Sequence, residues 1–392
     1  MKKVVIVSAK RTAIGSFQGV FSGLSAAKLG AEAIKAVIED SKIDINLVDE
    51  VIIGNVLSAG QGQAPARQAT LFSGLPNKTA SLTINKMCGS GLKAVMLASQ
   101  AIQCGDADII IAGGMESMSN APFLLNDARK GYRLGHGKLT DSLILDGLWD
   151  VYNDIHMGNC AEVCAKEYDL SREMLDEFAI NSYNKAITAT KNGIFKKEII
   201  PITIKSKRGD FVVDEDEEPK NVNFDKIPML KPAFDKSGVV TAANASKLND
   251  GAASVLIMSE DVALKLGFTP LVEIIAQATA AKAPIEFTTA PADAILKVLK
   301  KAELTKDDID VFEINEAFAV VSLAVNKILN LNDSKINLNG GAIALGHPIG
   351  ASGARILVTL IHAMLRENFT YGLASLCIGG GEASAVILKK YK

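Results

Sequence analysis

Cys88 lies in the run Asn85-Lys86-Met87-Cys88-Gly89-Ser90-Gly91, between the β-branched pair Thr83-Ile84 and the helix-like Leu92-Lys93-Ala94-Val95. A thiol at such a strand-to-helix junction sits over free backbone N–H groups and the positive end of a helix dipole, and both favour thiolate over thiol. The small residues Gly89, Ser90 and Gly91 leave room for a bulky ligand to approach the sulfur. A buried cysteine acting as a small hydrophobe is the competing reading. Three more glycine-rich clusters hold reactive groups at expected strand ends. One is Asn315-Glu316-Ala317-Phe318, directly after the strand Asp310 to Ile314. The second runs from Asn339 to Gly353 and carries His347-Pro348; the third is Cys377-Ile378-Gly379-Gly380-Gly381. Functional groups in α/β sheets gather beyond the carboxyl ends of the strands. His347 belongs to a loop rather than an apolar helix face, which suits a general base, or a histidine that merely satisfies a turn. Cys377 ends an apolar strand and reads as a second reactive thiol or as core.

The elements that must position these groups occur twice. Ala33 to Ile38 followed by Val48 to Ile53 reads as an amphipathic helix leading into a strand, and Ala294 to Leu299 followed by Ile309 to Ile314 repeats it at an ungapped separation of 261 residues. Downstream, Ser90-Gly91 recurs as Ser352-Gly353, and the strand Ile109 to Gly114 aligns with Ala374 to Gly379. This pattern predicts an α/β protein of two homologous halves, each with a largely buried sheet. The first half comprises residues 1–118 with 250–269, ending on a strand over Ala253 to Met258; the second comprises 270–392. Between them, 119–249 has its own texture, with the only Trp, a helix expected over Ser171 to Asn192, and the acidic run Asp214 to Glu218, which reads as a solvated turn. It is too long for a connection and reads as an inserted subdomain that could cap a site built by the two halves.

The chain has 392 residues, too many for one ordinary core, and its 48% hydrophobic content is ample for burial. A net charge of −2 gives no case for nucleic acid or an anionic membrane. Five cysteines do not form a secreted disulfide framework, and Met1-Lys2-Lys3 runs straight into Val4-Val5-Ile6-Val7 with no leader-like stretch. A reducing, cytoplasmic setting is the expectation. His156, Cys160 and Cys164 fall at helical spacing, but no carboxylate or further soft ligand completes a metal set, so no metal is expected.

Over its whole length the sequence resembles the thiolases, from Ala9-Lys10-Arg11-Thr12-Ala13-Ile14-Gly15 through Gly113-Gly114-Met115-Glu116-Ser117-Met118 to Asn244-Ala245-Ser246-Lys247-Leu248-Asn249-Asp250-Gly251, together with the four clusters above. The resemblance implies a five-layer αβαβα core and Claisen chemistry on thioesters. It makes Cys88 the acyl carrier, His347 its activator and Cys377 the acid–base for the substrate methyl group. It also implies one oxyanion hole from His347 and a water held by Asn315, and another from the N–H groups of Cys88 and Gly379. Coenzyme A, as substrate carrier rather than resident cofactor, would lie against the inserted subdomain at Leu148, His156, Met157, Phe234, Ala242, Ser246, Ala317 and Phe318. Lys220 stands near a position where an Arg is often found. His156-Met157-Gly158 resembles the branch that joins two acetyl-CoA into acetoacetyl-CoA. Phe287, near where that branch often has another Met, would narrow the acyl pocket or admit a branched acyl group. A degradative enzyme for longer 3-ketoacyl-CoA and a non-catalytic CoA or lipid carrier are the alternatives. A homotetramer, as a dimer of dimers, is implied. Glu382 after the triple glycine is unusual and has no account at this level.

Overall fold

The computed structural model describes residues 2–207 and 209–392. Nine long strands carry the fold: β1 (Val4–Thr12), β2 (Glu50–Gly54), β3 (Ala80–Ile84), β4 (Ile109–Ser117), β5 (Asn249–Ser259), β6 (Val272–Ala281), β7 (Val311–Ile314), β8 (Tyr371–Ile378) and β9 (Glu382–Lys390). Hydrogen bonding orders them β7-β8-β9-β6-β1-β5-β4-β2-β3. The runs β1-β5-β4-β2 and β6-β9-β8-β7 have the same sequence of antiparallel and parallel pairings, so each half builds the same sheet. They meet only at β1 and β6, through Val5 opposite Glu273 and Ile6 opposite Val272. β4 and β5 are buried at every position, as strands covered on both faces must be.

Among the described residues, eight helices of eight or more residues pack on this sheet or in the inserted segment: α1 (Ala26–Ser41), α2 (Pro65–Phe72), α3 (Ser90–Cys104), α4 (Met157–Glu167), α5 (Arg172–Lys191), α6 (Ala290–Ala302), α7 (Ala319–Leu329) and α8 (Ile349–Glu367). α1 and α2 cover the outer face of the first half, and α6 with α7 covers that of the second. α3 and α8 lie between the halves, where Leu92, Val95, Ile356, Leu357 and Leu360 share one core with β-strand residues from both. The five layers expected from the sequence are therefore present. α8 is apolar on nearly all sides because it is buried on nearly all sides. α5 occupies the expected span, capped by the Ser171 hydroxyl, which accepts from the Met174 N–H.

The repeat extends to single hydrogen bonds. Asp49 accepts from the N–H groups of Asp108 and Ile109 at 2.9 Å, starting β4. Asp310 accepts from Thr370 and Tyr371 at 2.8 and 2.9 Å, starting β8. β7 consequently begins at Val311 rather than Asp310, and β5 runs longer than expected, from Asn249. The aligned strand repeat needs correcting. Ile53 stands opposite Gly113 and its counterpart Ile314 opposite Ser375, so Gly113 matches Ser375 and not Ile378. Gly114 and Gly379 draw the sequence alignment three residues out of register, because the first lies inside β4 while the second follows the end of β8. The acidic run is also not a solvated turn. Asp216 is buried on Arg11, Glu217 accepts from the N–H groups of Ser16 and Val20, and Glu218 accepts from Asn249.

α3 and α8 cross so closely that a Cβ at Gly91 would lie 2.7 Å from the Ala354 nitrogen, and one at Gly353 would lie 2.5 Å from the Leu92 nitrogen. Both obstacles are backbone, which cannot swing aside. Gly353→Ala is expected to lower stability by about 1–3 kcal/mol through overpacking, seen as a lower urea midpoint with an unchanged m-value.

Candidate active site

The close crossing places the N-termini of α3 and α8 side by side. Cys88 lies two residues before the first and His347 two before the second, while Cys377 is the penultimate residue of β8, Gly379 directly follows that strand and Asn315 follows β7. Cys88, His347, Cys377 and Gly379 line one cavity of about 330 Å³. Asn315 stands behind His347, its Nδ2 3.4 Å from the ring Nδ1. The positioned groups come from both halves, so neither half alone holds the site.

The walls are mostly apolar. Met157, Phe287, Ala317 and Phe318 form one part of the lining, and Leu148, His156, Phe234, Ala242 and Ser246 another. His156 caps α4 by accepting the Gly158 N–H on Nδ1 at 3.0 Å, and its ring stacks on Phe234 with centroids 4.7 Å apart. Gly158 is required there, because a Cβ would sit 2.3 Å from the Phe234 ring. Phe234, Phe318 and Phe287 continue edge to face at 6.3 Å steps, which makes a stiff aromatic wall. The inserted segment supplies half of this wall, and the Ser246 N–H to the Ala317 carbonyl at 2.9 Å fastens it to the second half. Cys160 is held on Asp150, and His156 is committed to its cap, so these side chains serve helix α4.

The electrostatics differ from the local sequence reading of Cys88. Burial pushes its thiol up to about 11, against the pull of two backbone N–H groups, from Gly379 and from Cys88 itself. The helix end is thus outweighed by desolvation, and Cys88 is a thiol rather than a thiolate. Burial, and next the positive Arg355, hold His347 down to about 3, so its imidazole is neutral. Burial and the nearby Cys88 also push the Cys377 thiol up. A raised thiol pKa leaves less thiolate as pH falls. Alkylation of Cys88 by iodoacetamide should therefore climb about tenfold per pH unit from pH 7 to about 10, without the plateau that a thiolate stabilised at neutral pH would give.

Lys220 does not reach the cavity; its ammonium lies 2.7 Å from Glu215 in an exposed ion pair. Lys247 is the one lysine or arginine in the lining among the described residues. Its ammonium donates to the Ala242 carbonyl at 2.7 Å and lies over the Tyr183 ring, and burial pushes it down to about 8. Glu116 was invisible to sequence reasoning. Its carboxylate accepts from Asn55, Val56 and Leu57 of the first half and from Gly350 at the start of α8, at 2.8 to 3.2 Å. It binds the His347-bearing helix start to the half that carries Cys88. Glu382 now has an account: it receives the ammonium of Lys86, two residues before Cys88, and so ties the Cys88 loop to the end of the triple-glycine turn.

The family models for the N-terminal and C-terminal domains of thiolase match residues 4–261 and 268–390. The chain belongs to the thiolase family. This thiolase is 53% identical over 392 residues to an acetyl-CoA acetyltransferase of Cupriavidus necator and 54% identical to that of Escherichia coli, with both chains covered completely in each case. It is 54% identical to the mitochondrial acetyl-CoA acetyltransferase of Bos taurus, covering all of this chain and 92% of that protein. Among solved structures it is similar to the Acat5 thiolase of Ascaris suum in complex with coenzyme A, with a TM-score of 0.95, 45% identity and complete coverage of both chains.

Proposed function

We propose that this chain is an acetyl-CoA acetyltransferase that joins two acetyl-CoA into acetoacetyl-CoA and CoA, and runs in reverse when CoA is abundant. The observation that carries this reading is the meeting of two thiols, one neutral imidazole and two sulfur-directed N–H groups in one apolar cavity. Cys88 attacks the first thioester as His347 takes its proton, and the departing CoA thiolate takes a proton from Cys377. Cys88 then carries the acetyl group. The Cys377 thiolate removes a proton from the methyl of a second acetyl-CoA, and the enolate attacks acetyl-Cys88. Cys88 leaves as thiolate and recovers its proton from His347. The N–H groups of Cys88 and Gly379 face the charge that develops on the thioester oxygen. A Cβ at Gly379 would meet only the ends of Met157 and Met87, at 3.7 and 3.8 Å, so glycine there keeps free the space a thioester would take. CoA is carrier and product, not a resident cofactor.

Met157 and Phe287 are 9% and 2% exposed, and these bulky side chains close the apolar wall against a long acyl tail. The test is direct. Brief incubation with acetyl-CoA is expected to add one acetyl group at Cys88, read by peptide mass spectrometry, and acetoacetyl-CoA should be cleaved far faster than 3-ketooctanoyl-CoA. No label on Cys88 would refute the enzyme; equal cleavage rates would refute the short-chain preference. A homotetramer belongs to the same proposal. It is supported by Phe123, Leu125, Leu134 and Leu139, large apolar side chains that stand exposed within one stretch of the inserted segment. Light scattering after gel filtration reads the mass. A cytoplasmic, reducing setting would keep all five cysteines free, as they are here.

A further inference from the structure

Ser352 has had no role so far, and its setting is unlike that of an ordinary helix serine. It is 1% exposed, in the first turn of α8. Its Oγ lies 2.9 Å from the Pro348 carbonyl and 2.6 Å from His347 Nδ1. A hydroxyl has a single proton to give. The carbonyl can only accept, so a bond there uses that proton, and the short contact to the ring then requires a hydrogen on Nδ1. A neutral imidazole with its hydrogen on Nδ1 keeps its lone pair on Nε2. That nitrogen is buried, has no hydrogen-bond partner among the described residues, and belongs to a ring that lines the cavity with Cys88.

The repeat decides which way the serine proton points. Ser90 holds the equivalent place at the start of α3. It donates to the Met87 carbonyl at 2.7 Å and accepts from the Lys86 N–H at 2.9 Å. There the direction is not open, because a backbone N–H can only donate. Each half therefore has a serine that gives its proton to a carbonyl of the preceding turn and offers its oxygen to a donor. In the first half the donor is the backbone of the nucleophile loop; in the second it is an imidazole.

We propose that Ser352 is the positioning residue that holds His347 in the Nδ1–H tautomer, leaving Nε2 able to take the proton of Cys88. The competing influence is Asn315, whose amide Nδ2 stands 3.4 Å from the same Nδ1. An amide N–H donated to Nδ1 needs the lone pair there and moves the hydrogen to Nε2. In that form the ring can donate to an enolate oxygen, but it cannot accept from a thiol. Ser352 thus biases His347 toward the acylation half of the reaction, and the inference rests on the proposed function for that consequence.

The chain has only four histidines, so uniform nitrogen-15 histidine labelling lets each ring be assigned by His→Gln replacement one at a time. In the unliganded protein His347 is expected to show a protonated Nδ1 and an unprotonated Nε2. Ser352→Ala should transfer the hydrogen to Nε2 and slow acetylation of Cys88 by acetyl-CoA by about tenfold, with KM changed by less than about twofold. Ser90→Ala removes the matching helix-start bond and should leave the tautomer of His347 as it was. A wild-type His347 with its hydrogen on Nε2, or a Ser352→Ala protein with unchanged tautomer and acetylation rate, would overturn the proposal. If Ser352→Ala does not fold, the wild-type spectrum alone still decides. Failure of the functional reading shows separately, as absence of acetyl transfer to wild-type Cys88 whatever the tautomer.

Discussion

Cys377→Ser is expected to slow acetylation of Cys88 only modestly, because the CoA thiolate can leave without a proton from this position, while slowing condensation by about 10³-fold, the scale of a lost acid–base group. A serine hydroxyl fills nearly the same volume at the end of β8, so the cavity and its walls should persist. Its alkoxide is far more basic than a thiolate, and the apolar setting that already pushes the Cys377 thiol up would raise it further. The hydroxyl therefore cannot exist as the base that takes a proton from the acetyl methyl group. Acetyl-Cys88 should accumulate and be visible by mass spectrometry, and exchange of solvent deuterium into that methyl group should cease. Cys88→Ser should instead give no stable acyl-enzyme and therefore no acetoacetyl-CoA. Equal loss of both half-reactions in Cys377→Ser would remove the separation of roles between the two thiols.

The largest stability effect should come from a residue outside the cavity. Arg11 is fully buried, donating through Nε to Glu198 at 2.7 Å and through Nη1 and Nη2 to Asp216 at 2.7 and 2.9 Å. Glu198 also accepts from Thr359 on α8 at 3.1 Å, so one guanidinium links β1, two points of the inserted segment and the central helix. Arg11→Met keeps the bulk but leaves two buried carboxylates without their cation. A loss of about 3–5 kcal/mol is expected, measured by urea unfolding at pH 7. Arg11→Lys retains the charge but not the forked geometry and should recover only part of it. An Arg11→Met protein as stable as the wild type would show that the clamp is dispensable.

The contrast between the cavity and the clamp explains what could be read from sequence. Cys88, Cys377 and Gly379 stand in glycine-rich runs at or just after a strand, and His347 stands in a glycine-rich loop that follows a short helix rather than the strand end expected from sequence; local context marks all four, and the structure brings them to one cavity. The halves were legible because helix and strand periods recur at fixed spacing. Asp216 was misread because its partner lies 205 residues away, and an acidic run looks the same whether water or an arginine answers it. Ser352 and Glu116 were missed for a related reason: a serine or glutamate carries no mark of the N–H groups it will meet. The charge state of Cys88 failed differently. Its helix end was visible, but the desolvation that outweighs it is a property of walls contributed by both halves and the insertion.

β1 has a consequence for how the molecule is made. It is synthesised before the other strands, yet the long strands it pairs with are β5 and β6, with Val4 opposite Ser259 and Val5 opposite Glu273; only its end, Arg11-Thr12, pairs earlier in the chain, with Ile199-Ile200. A nascent chain therefore carries a strand whose first four residues, Val4-Val5-Ile6-Val7, are all apolar, without those partners while about 250 further residues emerge, on the order of tens of seconds. Contacts so distant along the chain fold slowly and expose sticky edges while they wait. The same strand that later unites the two halves is, during synthesis, the segment most in need of a chaperone.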